Sequence, residues 1–223
     1  MKLIWGTHNI ALTFHENEIL VFTVEKPCTY TSLLQNFHWQ CEGEDGELVI
    51  SEKDMLISIE NSVSIVWNPF LINLNEKRIQ SKLYQEMKKV SDEEYCKEVG
   101  DICQCISQYL NRLSMKIPYA VSFNEGLDSI SIYKLCGVKL ENDDSNLLQN
   151  VIEYIKVLGM LCNIKAVVFI NLKAYFDEME LLELYKTAFY YKIRVILIED
   201  SQTNCLKCEK HYILDMDDCL IEL

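Results

Sequence analysis

Residues 166–170 and 193–198 are two apolar runs, the second interrupted only by Arg194, on either side of a segment with helical spacing. A strand of apolar residues only needs cover on both faces, so the pattern predicts strand, helix, strand with the two strands parallel. The helix between them starts at Asp177, which Glu180 answers three positions on as a cap partner. It turns Leu181, Leu182, Tyr185, Ala188 and Phe189 to one face for core packing. A third buried strand is predicted at residues 19–24, closed by Glu25-Lys26-Pro27 and followed by a helix from residue 29 to about residue 40. After the acidic turn Glu42-Gly43-Glu44-Asp45-Gly46, three short segments beginning near Glu47, Met55 and Ser62 read as strands. Two more short segments, 211–214 and 219–223, end the chain around Asp215-Met216-Asp217-Asp218, as a hairpin or as edge strands.

Past Asn68-Pro69 the spacing becomes helical. One helix is predicted over 76–90, and a second opens at Ser91, with Glu94 completing a capping-box pattern. In that second helix Tyr95, Val99, Ile102, Ile106, Tyr109 and Leu113 recur at alternating intervals of four and three, the apolar seam of a helix laid against another. A helical hairpin within the chain is the expectation for such a seam, and a subunit interface is the alternative. A short helix near 128–135 follows, and Asp143-Asp144-Ser145 opens another from Leu147 to about residue 161. Strand-bearing segments thus bracket a helical middle. The chain is read as an α/β head from residues 1–68 and 151–223, with a mixed, mostly parallel sheet, and an inserted helical leg over 69–150.

Composition narrows the class. With 223 residues, nearly half of them apolar, seven glycines and three prolines, the chain can bury a large core and is neither disordered nor of low complexity. No apolar run is long enough to cross a bilayer, and Met1 to His8 lacks the apolar stretch of a secretory signal, so no membrane association and a cytoplasmic location are expected. The ten cysteines, scattered through helices and strands, are expected to be reduced thiols. A net charge of −13 repels a polyanion unless charge is segregated or metal ions neutralise part of it.

The turn after the first parallel strand, Asn171-Leu172-Lys173-Ala174-Tyr175-Phe176, has no glycine, and nowhere do spaced glycines lead into Lys and Ser or Thr. Backbone amides cannot close around a triphosphate without that freedom, so ordinary ATP hydrolysis is not expected. His8, His15, His38 and His211 lack the nucleophile context of a serine hydrolase. Cys205, Cys208 and His211, with Cys219 as a fourth, carry ligand types for a tetrahedral ion, but the second knuckle of a structural site is missing and zinc is not expected. Glu125 with Asp128, and Glu141 with Asp143 and Asp144, offer oxygen ligands for calcium, or serve as helix caps. Asp215, Asp217 and Asp218 are either turn residues or the carboxylates of a two-metal nuclease. Lys134 and Lys139 are candidate phosphate contacts.

The order of elements has a likeness, carried by Cys136-Gly137-Val138-Lys139-Leu140-Glu141, by the stretch from Val167-Val168-Phe169-Ile170-Asn171 to Glu180-Leu181-Leu182, by Ile196-Leu197-Ile198-Glu199 and by Tyr212-Ile213-Leu214-Asp215. Over nearly its whole length the chain resembles the Csn-two family, the accessory spacer-acquisition proteins of type II-A CRISPR systems. The resemblance implies a head like a degenerate P-loop NTPase core and a helical leg. It also implies a homotetrameric ring that holds double-stranded DNA ends without sequence preference or catalysis, working with CRISPR adaptation and effector proteins. It places calcium near the head–leg junction, at Glu125 and Asp128 here, and makes Lys134 and Lys139 lumen-facing DNA contacts. This chain departs from the acid-rich segment of the family, having Val121, Ser122 and Phe123 before Glu125, then Gly126, and Ser131 in the short helix. A ring that turns acidic surface outward answers the charge objection. Two other readings stand beside it: a diverged nucleotide hydrolase or metal-dependent nuclease, and an interaction protein stabilised by zinc at Cys205, Cys208 and His211.

Overall fold

Alternation opens the chain. Lys2–Trp5 (β1) and Ile10–Thr13 (β2) pair antiparallel and turn Leu3, Trp5, Ile10 and Leu12 inward. Ile19–Val24 (β3) is buried at every position and runs into Pro27–Cys41 (α1), which has Pro27 at its first turn. Leu48–Glu52 (β4) and Met55–Ile57 (β5) complete a four-stranded antiparallel sheet in the order β2-β1-β4-β5. The single turn Ile59–Ser62 (α2) then leads into Val63–Val66 (β6).

This computed structural model describes residues 1–53, 55–124, 126–141 and 146–223, and the chain divides into two compact units. Leu74–Glu141 form the leg, and Met1–Asn73 with Asn142–Leu223 form the head. The leg is shorter than the predicted 69–150.

The leg contains Lys77–Glu94 (α3), Cys96–Ser114 (α4) and Ser129–Leu135 (α5). Ser91 caps nothing: α3 runs through it, its hydroxyl pairs with that of Tyr133, and the break falls at Tyr95, with φ −127° and ψ 23°.

In the head, Leu147–Met160 (α6) starts at an Asn146 cap, whose side chain accepts from the Gln149 amide at 3.2 Å. The predicted opening at Asp143-Asp144-Ser145 lies outside the described residues. Ala166–Ile170 (β7), Glu178–Tyr190 (α7) and Arg194–Glu199 (β8) form the predicted parallel unit, and Asp177 with Glu180 closes both halves of a capping box on α7. Glu209–Leu214 (β9) and Leu220–Glu222 (β10) end the chain as an antiparallel hairpin.

The main sheet has the order β10-β9-β3-β8-β7-β6, parallel except at β10. This is the mixed, mostly parallel α/β head read from the sequence. Its register sets Val21 opposite Leu197 and Val168 opposite Ile196, all fully buried. Val151, Ile155 and Leu158 of α6 are buried, and α6 packs beside α7. The chain leaves β3 toward β6 on one side and β8 toward β9 on the other, so the carboxyl ends of β3 and β8 mark the crevice where such sheets hold ligands.

Candidate nucleic-acid interface

At that crevice only Glu25 and Lys26 separate β3 from α1. A phosphate loop has no room in two residues. Asp218, from the turn between β9 and β10, occupies the helix entrance: it pairs with the Lys26 ammonium and accepts from Thr29 Oγ1 at 3.0 Å. Lys26 holds this carboxyl below its ordinary range and is itself raised by the same bond. The neighbouring strand ends are closed by protein groups as well. Asn171, in the left-handed region at φ 50°, accepts from the Asp200 amide at 3.1 Å, and Gln202 Nε2 donates to Glu25 at 2.9 Å. Asp215 accepts from the amides of Asp217 and Cys219 at 2.9 and 2.8 Å. Asp215 is therefore a turn residue here, and Asp218 is tied to two side chains of the first turn of α1 and its approach.

Beneath the crevice lies an ionic cluster that sequence reading missed. Glu209 has a fully buried side chain: Oε1 accepts from Tyr185 Oη at 2.6 Å, and Oε2 accepts from Lys173 Nζ at 2.7 Å and from the Leu206 amide at 2.8 Å. His211 Nε2 lies 2.8 Å from the same Oε2. Burial by itself would raise this carboxyl, but the bonds from His211, Lys173, Tyr185 and Leu206 together hold it at about 2. Glu199 behaves oppositely: burial pushes it to about 7, because the hydrogen bond from the Lys173 amide at 3.3 Å and the charge of Lys173 compensate only in part. The available signal was weak: a glutamate closing an apolar run at 199, and Glu209 with His211 two apart on one strand face.

In the leg, Asp128 caps α5, accepting from the amide and hydroxyl of Ser131 at 2.9 and 2.8 Å, bonds that lower its carboxyl. Lys88 Nζ stands 3.9 Å from its other oxygen and 3.6 Å from Asp92. No three metal-ligating side chains gather at Asp128 among the described residues, and the predicted partner Glu125 lies outside them.

Helix α5 ends in a full Schellman motif: the Val138 amide donates to Tyr133 O at 3.0 Å and the Gly137 amide to Lys134 O at 3.2 Å, with Gly137 at φ 63°. Tyr84 Oη donates to Val138 O at 3.1 Å, and the Asn75 side chain brackets Leu140 through both its amide and its carbonyl, at 2.8 and 3.0 Å. The return segment is thereby braced on both sides. Lys134 and Lys139 stand exposed on it, and neither has an ion-pair partner among the described residues. Ten basic and ten acidic residues fall within 74–141, so the leg is formally neutral and the head carries the whole −13.

Helix α4 has no buried residue along its 19 positions. Of the predicted seam, Tyr95, Ile102, Tyr109 and Leu113 are exposed, Tyr109 at 58%. The intramolecular hairpin expected for that seam does not cover it.

The molecule is thus an α/β protein in which Asp218 pairs with Lys26 and Thr29 at the entrance of α1, carrying an inserted helical leg. A family model, described as CRISPR-associated protein (Cas_Csn2), matches residues 40–218, and the chain belongs to that family. Its role is accordingly CRISPR-associated. No curated protein matches the chain. Among solved structures, a Pyrococcus furiosus protein named "Putative ABC transporter (ATP-binding protein)" aligns at 10% identity, covering 91% of this chain and 88% of its own, with a TM-score of 0.40. No helix among the described residues is long and apolar enough to cross a membrane.

Proposed function

We propose that this protein is a non-catalytic, sequence-independent binder of double-stranded DNA ends that assembles as a homotetrameric ring and serves CRISPR spacer acquisition in the cytoplasm, beside adaptation and effector proteins. The observation that carries the reading is the braced return segment, which holds Lys134 and Lys139 exposed and unpaired on a unit of zero formal charge. Ammonium groups fixed in position meet phosphates with little further ordering, and phosphate contacts carry no base information. The open α4 face supports self-assembly. An amphipathic helix with four of its six seam residues exposed offers an apolar face that a second copy of itself can match. Calcium enters no step of this reading.

The test is a salt series of fluorescence anisotropy on linear duplexes of unrelated sequence. Affinity is expected to be equal across sequences and to fall steeply with salt. Lys134→Ala with Lys139→Ala should weaken binding about ten-fold or more and reduce the salt slope by about one per lost phosphate contact. Undisturbed binding by that variant would overturn the assignment of these lysines.

A further inference from the structure

The side chains of Cys205, Glu209 and His211 converge so that one sulfur, one carboxylate oxygen and one imidazole nitrogen all lie within 4.8 Å of one another. The sequence offered Cys205, Cys208 and His211, with Cys219, as an incomplete knuckle. The fold supplies a different third ligand, Glu209, because residues 209 and 211 share a face of β9 while the loop after β8 delivers Cys205 above them. The geometry points to a zinc site at Cys205, Glu209 and His211, with a water completing the tetrahedron.

The ligand chemistry favours zinc. A thiolate, an imidazole and a carboxylate suit a borderline-soft ion and ill suit calcium or magnesium, which take oxygen ligands. His211 Nε2 and Glu209 Oε2 are 2.8 Å apart, so a slight spreading admits an ion at about 2.0 to 2.1 Å from each. Cys205 is exposed, which gives the ion an entry and lets the thiol release its proton to water on binding. Tyr185 donates to Glu209 Oε1 and orients the carboxylate from behind, as a supporting partner does in metal sites. Lys173 Nζ and the Leu206 amide donate to the same Oε2 at 2.7 and 2.8 Å, and the ion would replace only the direct His211 contact, leaving those two donors on the carboxylate. The ion would fasten the connection between β8 and β9 to the edge of the parallel sheet, independently of any DNA contact.

The full-length protein, stripped with chelator and dialysed, is titrated with cobalt(II) and then with zinc(II). One equivalent of cobalt is expected, with the visible absorption of a tetrahedral ion and a thiolate charge-transfer band, both displaced by zinc. Cys205→Ser, an exposed replacement that leaves the fold intact, should lose the charge-transfer band and bind zinc about ten-fold or more weakly, whereas Cys208→Ser keeps both. Zinc should raise the melting temperature of the wild type more than that of Cys205→Ser. Absence of stoichiometric binding, or a band that survives in Cys205→Ser and vanishes in Cys208→Ser, would overturn the site.

Discussion

Glu209→Ala is expected to destabilise the protein by about 3–5 kcal/mol, the usual cost of removing one partner from a buried ion pair. The loss is large because one carboxylate satisfies four groups at once. Without it the Lys173 ammonium, 5% exposed, keeps only the Asn204 carbonyl among the described residues, while Tyr185 Oη and the Leu206 amide are left without their acceptor. Urea denaturation at pH 7 reads the effect directly, and a shift below about 1 kcal/mol would show that water replaces the carboxylate at little cost. A companion variant separates charge from shape. Folding raises Glu199 from 4.5 to about 7, so between those values the native state binds more protons than the unfolded chain, and stability falls as pH rises through the window. The change is about 3 kcal/mol in all, from a shift of this size. Glu199→Gln cannot titrate, so its stability should stay flat from pH 5 to 7.5 and exceed the wild type at the upper end. Equal slopes in both proteins would place the titration elsewhere.

Ile102→Glu combined with Tyr109→Glu is expected to break the proposed assembly and abolish tight DNA binding in the same step. Both side chains are exposed on α4, so their replacement leaves the subunit folded, and circular dichroism should not change. At a helix-to-helix seam between copies, two glutamates bring unpaired charge into an apolar contact and repel their symmetry mates. Sedimentation should find the wild type near four times the 26.1 kDa chain mass and the variant at the chain mass. Linear duplex binding should drop at least about ten-fold, because separate subunits lose the gain of several linked phosphate contacts. A variant that keeps the wild-type mass would move the interface away from α4.

How far the sequence foretold this structure depended on the range of the interactions. The strands β3, β7 and β8 were legible because short, mainly apolar runs rich in β-branched residues have one stable use, and α7 because Asp177 and Glu180 sit at cap spacing. The hairpin of β1 and β2 went unread: four residues each carry too little alternation to separate from chance, and tertiary cover decides them. Ser91 misled because a Ser-x-x-Glu pattern is short enough to occur inside a helix, where the Ser91 hydroxyl meets Tyr133 instead of a backbone amide. Lys26 and Asp218 are 192 residues apart, and no local pattern announces their pairing. Lys134 and Lys139 could be named from sequence, but their bracing through Asn75 and Tyr84 appears only in three dimensions.

Comparing a linear duplex with a covalently closed circle of the same sequence, at low salt, tests the central claim most directly. A ring that threads DNA ends binds the linear form and fails on the closed circle until a nuclease opens it. Equal affinity for the two forms, or failure on both, would contradict encirclement of DNA ends.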